Sequence, residues 1–323
     1  MTNFQVYKKT LSFSLLEFLV GLLSLVIALG IASAGFFIFN SSIDKALIGL
    51  AIGLLIGIIV AALINVFVTN RIKAAQIAMM TKGVTEDALP DHTFKEGFVE
   101  IKGRFGKITA FYFITNAIKG IFKQIGRGVN RVGTAIGGQA GNTVTSAIDS
   151  AVQTLVSYLC DCCLGWILFR KDENSFKAGC EGAVIFFKHG KTLIRNIGRI
   201  FGMGILSFIL IGGALTAVFY LIFTQLPQMF NTFANEIAEI SVRNGGEIPD
   251  FLTDPKMLML AVAVAGGIIL WAMLHSVLIR PFILVGVLRN FMAAGQKDMP
   301  KEEDFKALSN KSPRFAKLYN KAQ

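Results

Sequence analysis

Four long apolar runs constrain this chain more than any other feature of its sequence. They cover residues 15–39, 46–68, 200–223 and 257–278. An α-helix rises 1.5 Å per residue, so about 20 apolar residues cross the roughly 30 Å hydrocarbon core of a bilayer. Hydrophobic residues make up 53% of the chain and charged residues only 16%, which is typical of polytopic membrane proteins. The sequence predicts an all-α, polytopic integral membrane protein with amphipathic interfacial helices beside its spans.

The charged residues lie in the gaps between these runs and predict their orientation. Lys8 and Lys9 precede the first run, Arg71 and Lys73 follow the second, and the segment 224–256 is acidic. By the positive-inside rule, both termini lie in the cytoplasm and 224–256 forms an external loop. The net charge of +11 has no recognition helix, aromatic platform or zinc pattern beside it. We therefore expect anionic lipid headgroups on the cytoplasmic side as the partner, and no nucleic acid.

The middle of the chain leaves the number of spans open. Segment 108–122 is apolar but short, and segment 143–169 is long enough to span yet contains Asp149 and Asp161. If both cross, the chain has six transmembrane helices and the glycine-rich link 126–142 faces outside, against the usual charge bias. If neither crosses, the chain has four, and the two segments form a re-entrant or interfacial pair packed in protein.

This pattern divides the chain into five segments. They are a transmembrane hairpin (1–70), a cytoplasmic amphipathic and loop segment (71–107), the ambiguous membrane segments with the glycine-rich link and a basic interfacial helix (108–199), two transmembrane helices around the loop 224–256 (200–292), and a basic cytoplasmic tail (293–323). Gly49, Gly53 and Gly57 repeat at four-residue spacing and let another helix approach closely. That neighbour belongs either to the same subunit or to a homo-oligomer or membrane complex.

Five ionisable residues within or beside the membrane segments are candidates for a substrate pathway. They are Glu17, Asp149, Asp161, His275 and Arg280. Charged groups are costly in hydrocarbon and usually mark a route for ions or solutes. For Glu17, His275 and Arg280, which lie near the inner boundary, snorkelling or anchoring at the interface is the alternative. Pro281 should kink its helix and free a carbonyl near residue 277.

A basic run follows the ambiguous region and predicts contacts with lipid headgroups. Its candidate residues are Lys188, Lys191, Arg195 and Arg199. They alternate with apolar residues at roughly helical spacing, as expected of a helix lying in the headgroup layer. A helix that simply connects two spans would fit the same pattern.

The cysteines indicate neither catalysis nor metal binding. Cys160, Cys162 and Cys163 lie in an apolar segment without CxxC spacing and without a neighbouring histidine. We expect buried thiols, with palmitoylation as the alternative. The sequence accordingly predicts no catalytic residue, no metal site and no cofactor, so the protein is not expected to be an enzyme.

Residues 108–304 carry a recognisable order of segments. An apolar segment with a basic link (FYFITNAIKGIFKQIGRGVNRVG) is followed by LCDCCLGWILF, RKDENSF, KAGCEGAVIFF and LIRNIGRIF, and then by two spans around an external loop. This order resembles the C-terminal half of the choline transporter-like family. Members of that family are longer and carry a large external domain after the first span, where this chain has only the link 40–45.

The resemblance implies transport of a small organic cation such as choline, or of a lipid headgroup. The alternative is a non-transporting membrane module that scaffolds a complex or binds anionic lipid through its basic face. That alternative requires only the charge excess and the glycine-lined helices.

Overall fold

The computed structural model describes the backbone of residues 1–39, 43–104, 116, 120, 141–194, 197–244 and 250–323. The helices are α1 (Asn3–Ile38), α2 (Ile43–Ile64), α3 (Asn70–Thr85), α4 (Thr93–Arg104), α5 (Gly141–Phe169), α6 (Ser175–Ile194), α7 (Ile197–Ser207), α8 (Gly213–Phe223), α9 (Pro227–Asn244), α10 (Asp250–Thr253), α11 (Pro255–Leu274), α12 (Arg280–Lys297), α13 (Glu302–Lys311) and α14 (Pro313–Asn320). Within these ranges there is no β-strand, which confirms the all-α class.

Four helical stretches in the described ranges are long and apolar enough to cross a membrane. They are Asn3–Ile38, Lys45–Thr85, Gly202–Phe223 and Pro255–Lys297. The four predicted spans are thereby confirmed, and the chain is an integral membrane protein. In the ambiguous region, α5 contributes only the shorter apolar stretch Val156–Phe169. Apart from residues 116 and 120, segment 108–122 lies outside the described residues, so six spans and the cytoplasmic placement of the termini stay predictions.

Three of the four spanning stretches are longer than the apolar runs that predicted them. Helix α1 has 36 residues and is therefore about 54 Å long at 1.5 Å per residue, well beyond a hydrocarbon core of about 30 Å. The helix begins at Asn3 because Thr2 caps it: its hydroxyl accepts from the backbone N–H of Gln5, whose side chain accepts from the backbone N–H of Thr2. Part of α1 therefore lies outside the hydrocarbon.

The glycine stripe of α2 packs against α1 of the same chain. A Cβ atom added to Gly53 would lie 2.6 Å from the carbonyl oxygen of Ile31, and one added to Gly57 would lie 2.7 Å from that of Ala28. Side chains at these positions would separate the two helices, so glycine is what permits the close backbone approach. The stripe therefore has an intrachain partner.

The chain forms two compact units. Unit 1 comprises Met1–Gly198 and Arg280–Gln323, and unit 2 comprises Arg199–Ile279.

In unit 1, burial changes sharply along α1. Phe13 and Ser14 are fully buried, whereas Leu19, Leu23 and Val26 are exposed, as expected of lipid-facing positions. The buried half packs on α3 and α12, which in turn pack with the end of α5 and with α6, and together these helices form what we call the juxtamembrane domain. Unit 1 thus combines a lipid-facing hairpin with a helical domain that has its own core.

The C-terminal segment completes this domain. Phe305 and Leu308 of α13 and Phe315 and Leu318 of α14 pack against Cys180 and its neighbours on α6. Two caps start these helices: the Asp304 carboxylate accepts from the backbone N–H of Lys301, and the Ser312 hydroxyl accepts from that of Phe315. The basic tail is therefore part of the fold.

Unit 2 is built on close packing of α8 against α11. A Cβ atom added to Gly267 would lie 3.0 Å from the Cα atom of Thr216. Trp271 of α11 packs edge-on against Phe208 at 4.9 Å between ring centroids, and its indole N–H donates to the Ser207 hydroxyl at 3.3 Å. Helix α9 covers one end of this pair.

Three π-helical turns interrupt the spanning helices within the described residues. They are Asn65–Thr69, Phe208–Gly212 and His275–Ile279. The last contains residue 277, whose carbonyl Pro281 was predicted to free. Because proline lacks an N–H and its ring clashes with the carbonyl four residues earlier, a local change of helical register is the expected response.

Candidate functional site

Four charged side chains come together where helices of unit 1 meet. Glu17 comes from α1, Lys73 from α3, Asp161 from α5, and Arg280 is the first residue of α12. Helix α3 packs against the other three helices, and α12 packs against α1 and α5. We call these four residues the charge cluster.

Asp161 is the centre of the charge cluster. The Lys73 ammonium lies 3.0 Å from its Oδ1 atom, and Nη2 of Arg280 lies 2.6 Å from its Oδ2 atom. The Asp161 side chain is only 10% exposed, and those of Lys73 and Arg280 are 23% and 24% exposed. Each carboxylate oxygen is therefore held by a cation from a different helix.

Arg280 has two further partners on α5. Its Nη2 atom donates to the Ser157 hydroxyl at 2.5 Å, and its guanidinium carbon lies 5.7 Å from the centroid of the Tyr158 ring. Ser157 and Tyr158 precede Asp161 by four and three residues, which places all three on one face of the helix. The guanidinium thus lies between a carboxylate and an aromatic ring, the arrangement of a cation–π site.

Glu17 supplies the second negative charge. It is half-buried and interacts electrostatically with Lys73, Arg280 and Asp161. Two cations and two carboxylates make the cluster formally neutral. Neutrality matters here because a single unpaired charge at the membrane boundary would be strongly disfavoured.

A buried polar seam continues from the charge cluster between α1 and α3. The amide of Gln76 donates to the Ser14 hydroxyl at 2.7 Å and to the Thr10 carbonyl at 3.3 Å. Ser14 lies three residues before Glu17, and Gln76 three residues after Lys73, so each pair shares a helix face. The seam and the cluster together link α1 to α3 by specific polar contacts.

Three of the five predicted pathway residues meet in this cluster: Glu17, Asp161 and Arg280. His275 lies in unit 2, where its ring packs on Trp271 at 5.3 Å between centroids. Asp149 lies on α5, but its side chain is outside the described residues.

Sequence reasoning missed Lys73, Ser157 and Tyr158 as members of the site. Lys73 was interpreted only as a topology marker after the second apolar run. A signal was nevertheless present, since Lys73 and Gln76 are polar residues three apart in a helix whose neighbouring positions are apolar. The serine and tyrosine gave no signal distinct from ordinary packing residues.

The predicted lipid contacts fall partly on described residues. Lys188 pairs with Asp298 and Asp304, each at 3.0 Å, and so joins α6 to the C-terminal segment. The hydrogen bonds that Lys188 donates to these carboxylates raise its own pKa, and the bond to Asp298 lowers the pKa of that carboxyl group. The side chains of Lys191 and Arg199, and the whole of Arg195, lie outside the described residues.

The four cysteines are buried, as predicted, and none forms a disulfide bond. Burial raises the pKa of the Cys180 thiol to about 12, so this residue stays a thiol at neutral pH. In the described part of the chain, no group of three or more histidine, cysteine, aspartate or glutamate residues could hold a metal ion.

Comparisons with known proteins leave the charge cluster as the principal guide to function. No family model, no curated protein and no solved structure matches this chain.

Proposed function

We propose that this protein binds a small organic cation, or the cationic headgroup of a lipid, at the charge cluster and moves it across the membrane. The contacts of Arg280 are the main support for this proposal. Its guanidinium lies against the Asp161 carboxylate and 5.7 Å from the Tyr158 ring centroid. A carboxylate beside an aromatic face is the chemistry that recognises organic ammonium ions. A positively charged side chain of the protein itself fills that position.

Exchange of one cation for another explains why the site would select positive charge. An incoming cation replaces Arg280 or Lys73 at Asp161, and the displaced side chain keeps Glu17 as a counter-charge. Removing one partner of a buried ion pair without replacement costs about 3–5 kcal/mol. A neutral or anionic solute cannot compensate that loss, whereas an organic cation can. The long stems of lysine and arginine allow the displaced charge to reach water.

The position of the charge cluster supports the same proposal. It lies at the end of the lipid-facing part of α1, where the juxtamembrane domain begins. A π-helical turn, an irregularity frequent at functional sites, immediately precedes Arg280 along the chain. The resemblance to the choline transporter-like family covers Tyr158, Asp161 and Arg280, which makes choline the first cation to test.

Uptake of labelled choline into proteoliposomes tests the proposal. Wild-type protein should accumulate choline above protein-free liposomes, and Asp161→Asn should abolish that uptake. Asp172→Asn is the matched control, because Asp172 is exposed in the turn that follows α5. Uptake no greater than that of protein-free liposomes, or equal uptake by Asp161→Asn and wild type, refutes the proposal.

A second function, a non-transporting membrane module, is favoured by a different observation. Only 11–22% of each apolar window in the four spans is buried. Such spans suit a chain that anchors the juxtamembrane domain in lipid, where it scaffolds a complex or binds anionic lipid. Native mass spectrometry from mixed-lipid nanodiscs tests the lipid branch. Retention of phosphatidylserine over phosphatidylcholine, reduced in Lys191→Gln, supports it, and equal retention of both lipids contradicts it.

A further inference from the structure

Helix α9 presents an exposed apolar surface at one end of unit 2. It follows the spanning helix Gly202–Phe223 after the short link 224–226. Its position relative to the membrane therefore follows from its contacts with the neighbouring spanning helices.

One side of α9 is packed against α11. Phe230 and Ala234 are buried in a cluster with Leu258 and Met259, and Ile237 packs against the same cluster. Met259 is four residues from the start of the span that begins at Pro255, which is about 6 Å at 1.5 Å per residue. Amphipathic helices that lie on membranes bury their apolar faces about 5–10 Å into the boundary between headgroups and acyl chains. The contact with α11 therefore holds α9 beside the first turns of that span.

Beside this packed side, α9 and the residue before it carry three exposed apolar side chains. Leu226 is 47% exposed, Met229 42% and Phe233 53%. Their spacing of three and four residues places them on one side of a helix, adjacent to Phe230. We call Leu226, Met229 and Phe233 the apolar flank. The side opposite Phe230 and Ala234 is polar and exposed, with Gln228, Thr232, Asn235 and Glu239.

Lipid is the occupant that the surrounding structure favours. The apolar flank continues the exposed apolar surface at the end of α8, where Leu221 and Ile222 are exposed. Those two side chains belong to a membrane span, so lipid already covers the surface that the flank extends.

We propose that α9 is an interfacial helix whose apolar flank inserts between lipid headgroups, while its polar side faces water. The helix then fixes the depth of the α8–α11 hairpin, because moving the hairpin along the membrane normal would pull the flank into water. This role is independent of the transport proposal, since it involves none of the residues of the charge cluster.

Spin labels on the full-length protein in nanodiscs test the inference. Single variants Met229→Cys and Phe233→Cys report on the flank, and Gln228→Cys and Thr232→Cys are matched controls on the polar side of the same helix. The wild-type protein, whose four cysteines are buried, supplies the labelling background. The measurement is the ratio of collisions with oxygen, which concentrates in lipid, to collisions with a water-soluble nickel chelate.

The inference predicts a reversal of this ratio between adjacent positions. Oxygen should dominate at 229 and 233, and nickel at 228 and 232. Nickel dominance at all four positions overturns the inference. The spectra of labels at 229 and 233 also test whether the flank faces a second copy of the chain. Dipolar broadening of these spectra that disappears on dilution with unlabelled protein would show such a contact and overturn the inference. Two flank positions are measured so that a misfolded variant at one of them leaves the other to decide.

Discussion

Removing the charge of Asp161 should destabilise unit 1 more than removing either of its cationic partners. Asp161→Asn leaves Lys73 and Arg280 facing a neutral amide, with Glu17 as the remaining carboxylate of the charge cluster. Loss of one partner from a buried ion pair costs about 3–5 kcal/mol. Lys73→Gln should cost less, because Asp161 then keeps the shorter contact, 2.6 Å from Arg280. Arg280→Gln should fall between them, since the contact with Tyr158 is lost as well.

The coupling between Lys73 and Asp161 can be bounded from their separation. For unit charges 3.0 Å apart, Coulomb's law gives about 1.4 kcal/mol in bulk water and about 5.5 kcal/mol at an effective dielectric constant of 20. Desolvation of the two groups opposes this attraction. A net coupling of about 1–3 kcal/mol is therefore expected, within the range that double-mutant cycles give for neighbouring residues.

A double-mutant cycle of Lys73→Gln and Asp161→Asn measures this coupling. Unfolding of the purified protein in mixed micelles, followed by circular dichroism as the denaturing detergent is increased, supplies the four free energies. Lys177→Gln is a matched lysine control, because Lys177 is 45% exposed and pairs with Glu173 in the turn just before its helix. A coupling below about 0.5 kcal/mol, the limit at which independent sites are additive, would refute the assignment of this pair as a specific buried interaction.

Three further predictions follow from other parts of the fold. Gly57→Leu should lower the melting temperature in detergent because a side chain there meets the backbone of α1, whereas Gly30→Leu, with open space around it, should not; equal effects would contradict the close packing of the hairpin. The pKa of Asp298 lies below its ordinary value of 3.8 in the folded protein. Its ion pair with Lys188 therefore stabilises the fold above pH 3.8, and this stabilisation is lost as the pH falls through the lowered pKa. Lys188→Met should therefore reduce the decrease in melting temperature that the protein shows at acid pH. An unchanged decrease would contradict this linkage. Cys180, with a pKa of about 12, should react with maleimide at pH 7 only after unfolding, and rapid labelling of the native protein would show that it is accessible.

The membrane spans were readable from the sequence, but the full length of their helices was not. Hydropathy detects continuous apolar runs, and on α1 the run of exposed apolar side chains begins near Leu15. The helix itself continues back to Asn3, through a stretch whose buried side faces protein. The same limit explains the C-terminal segment, where the basic residues predicted a cytoplasmic tail but not its packing. Phe305, Leu308, Phe315 and Leu318 nevertheless carry the helical spacing of a packed face.

Most residues of the charge cluster could be predicted from the sequence, but their contacts with one another could not. Glu17, Asp161 and Arg280 stood out singly because each interrupts or adjoins an apolar run. Their meeting could not be predicted, since Arg280 and Asp161 are 119 residues apart in sequence and only tertiary packing joins them. Lys73 was missed for a different reason: it lies in a mixed segment where a lysine is unremarkable until the helix that carries it is seen to be buried.

The charge cluster could stabilise unit 1 without binding any solute, and Lys73→Gln separates the two possibilities. If the cluster is only a structural contact, the substitution weakens the fold and any choline uptake falls with it. If Asp161 exchanges its cations for a solute, Lys73 is a competitor, and its removal should lower the choline concentration that gives half-maximal uptake. Lys177→Gln, the same change on the surface of α6, should leave that concentration unchanged. A half-saturating concentration that stays the same or rises in Lys73→Gln would leave the cluster as a structural contact between α1, α3, α5 and α12.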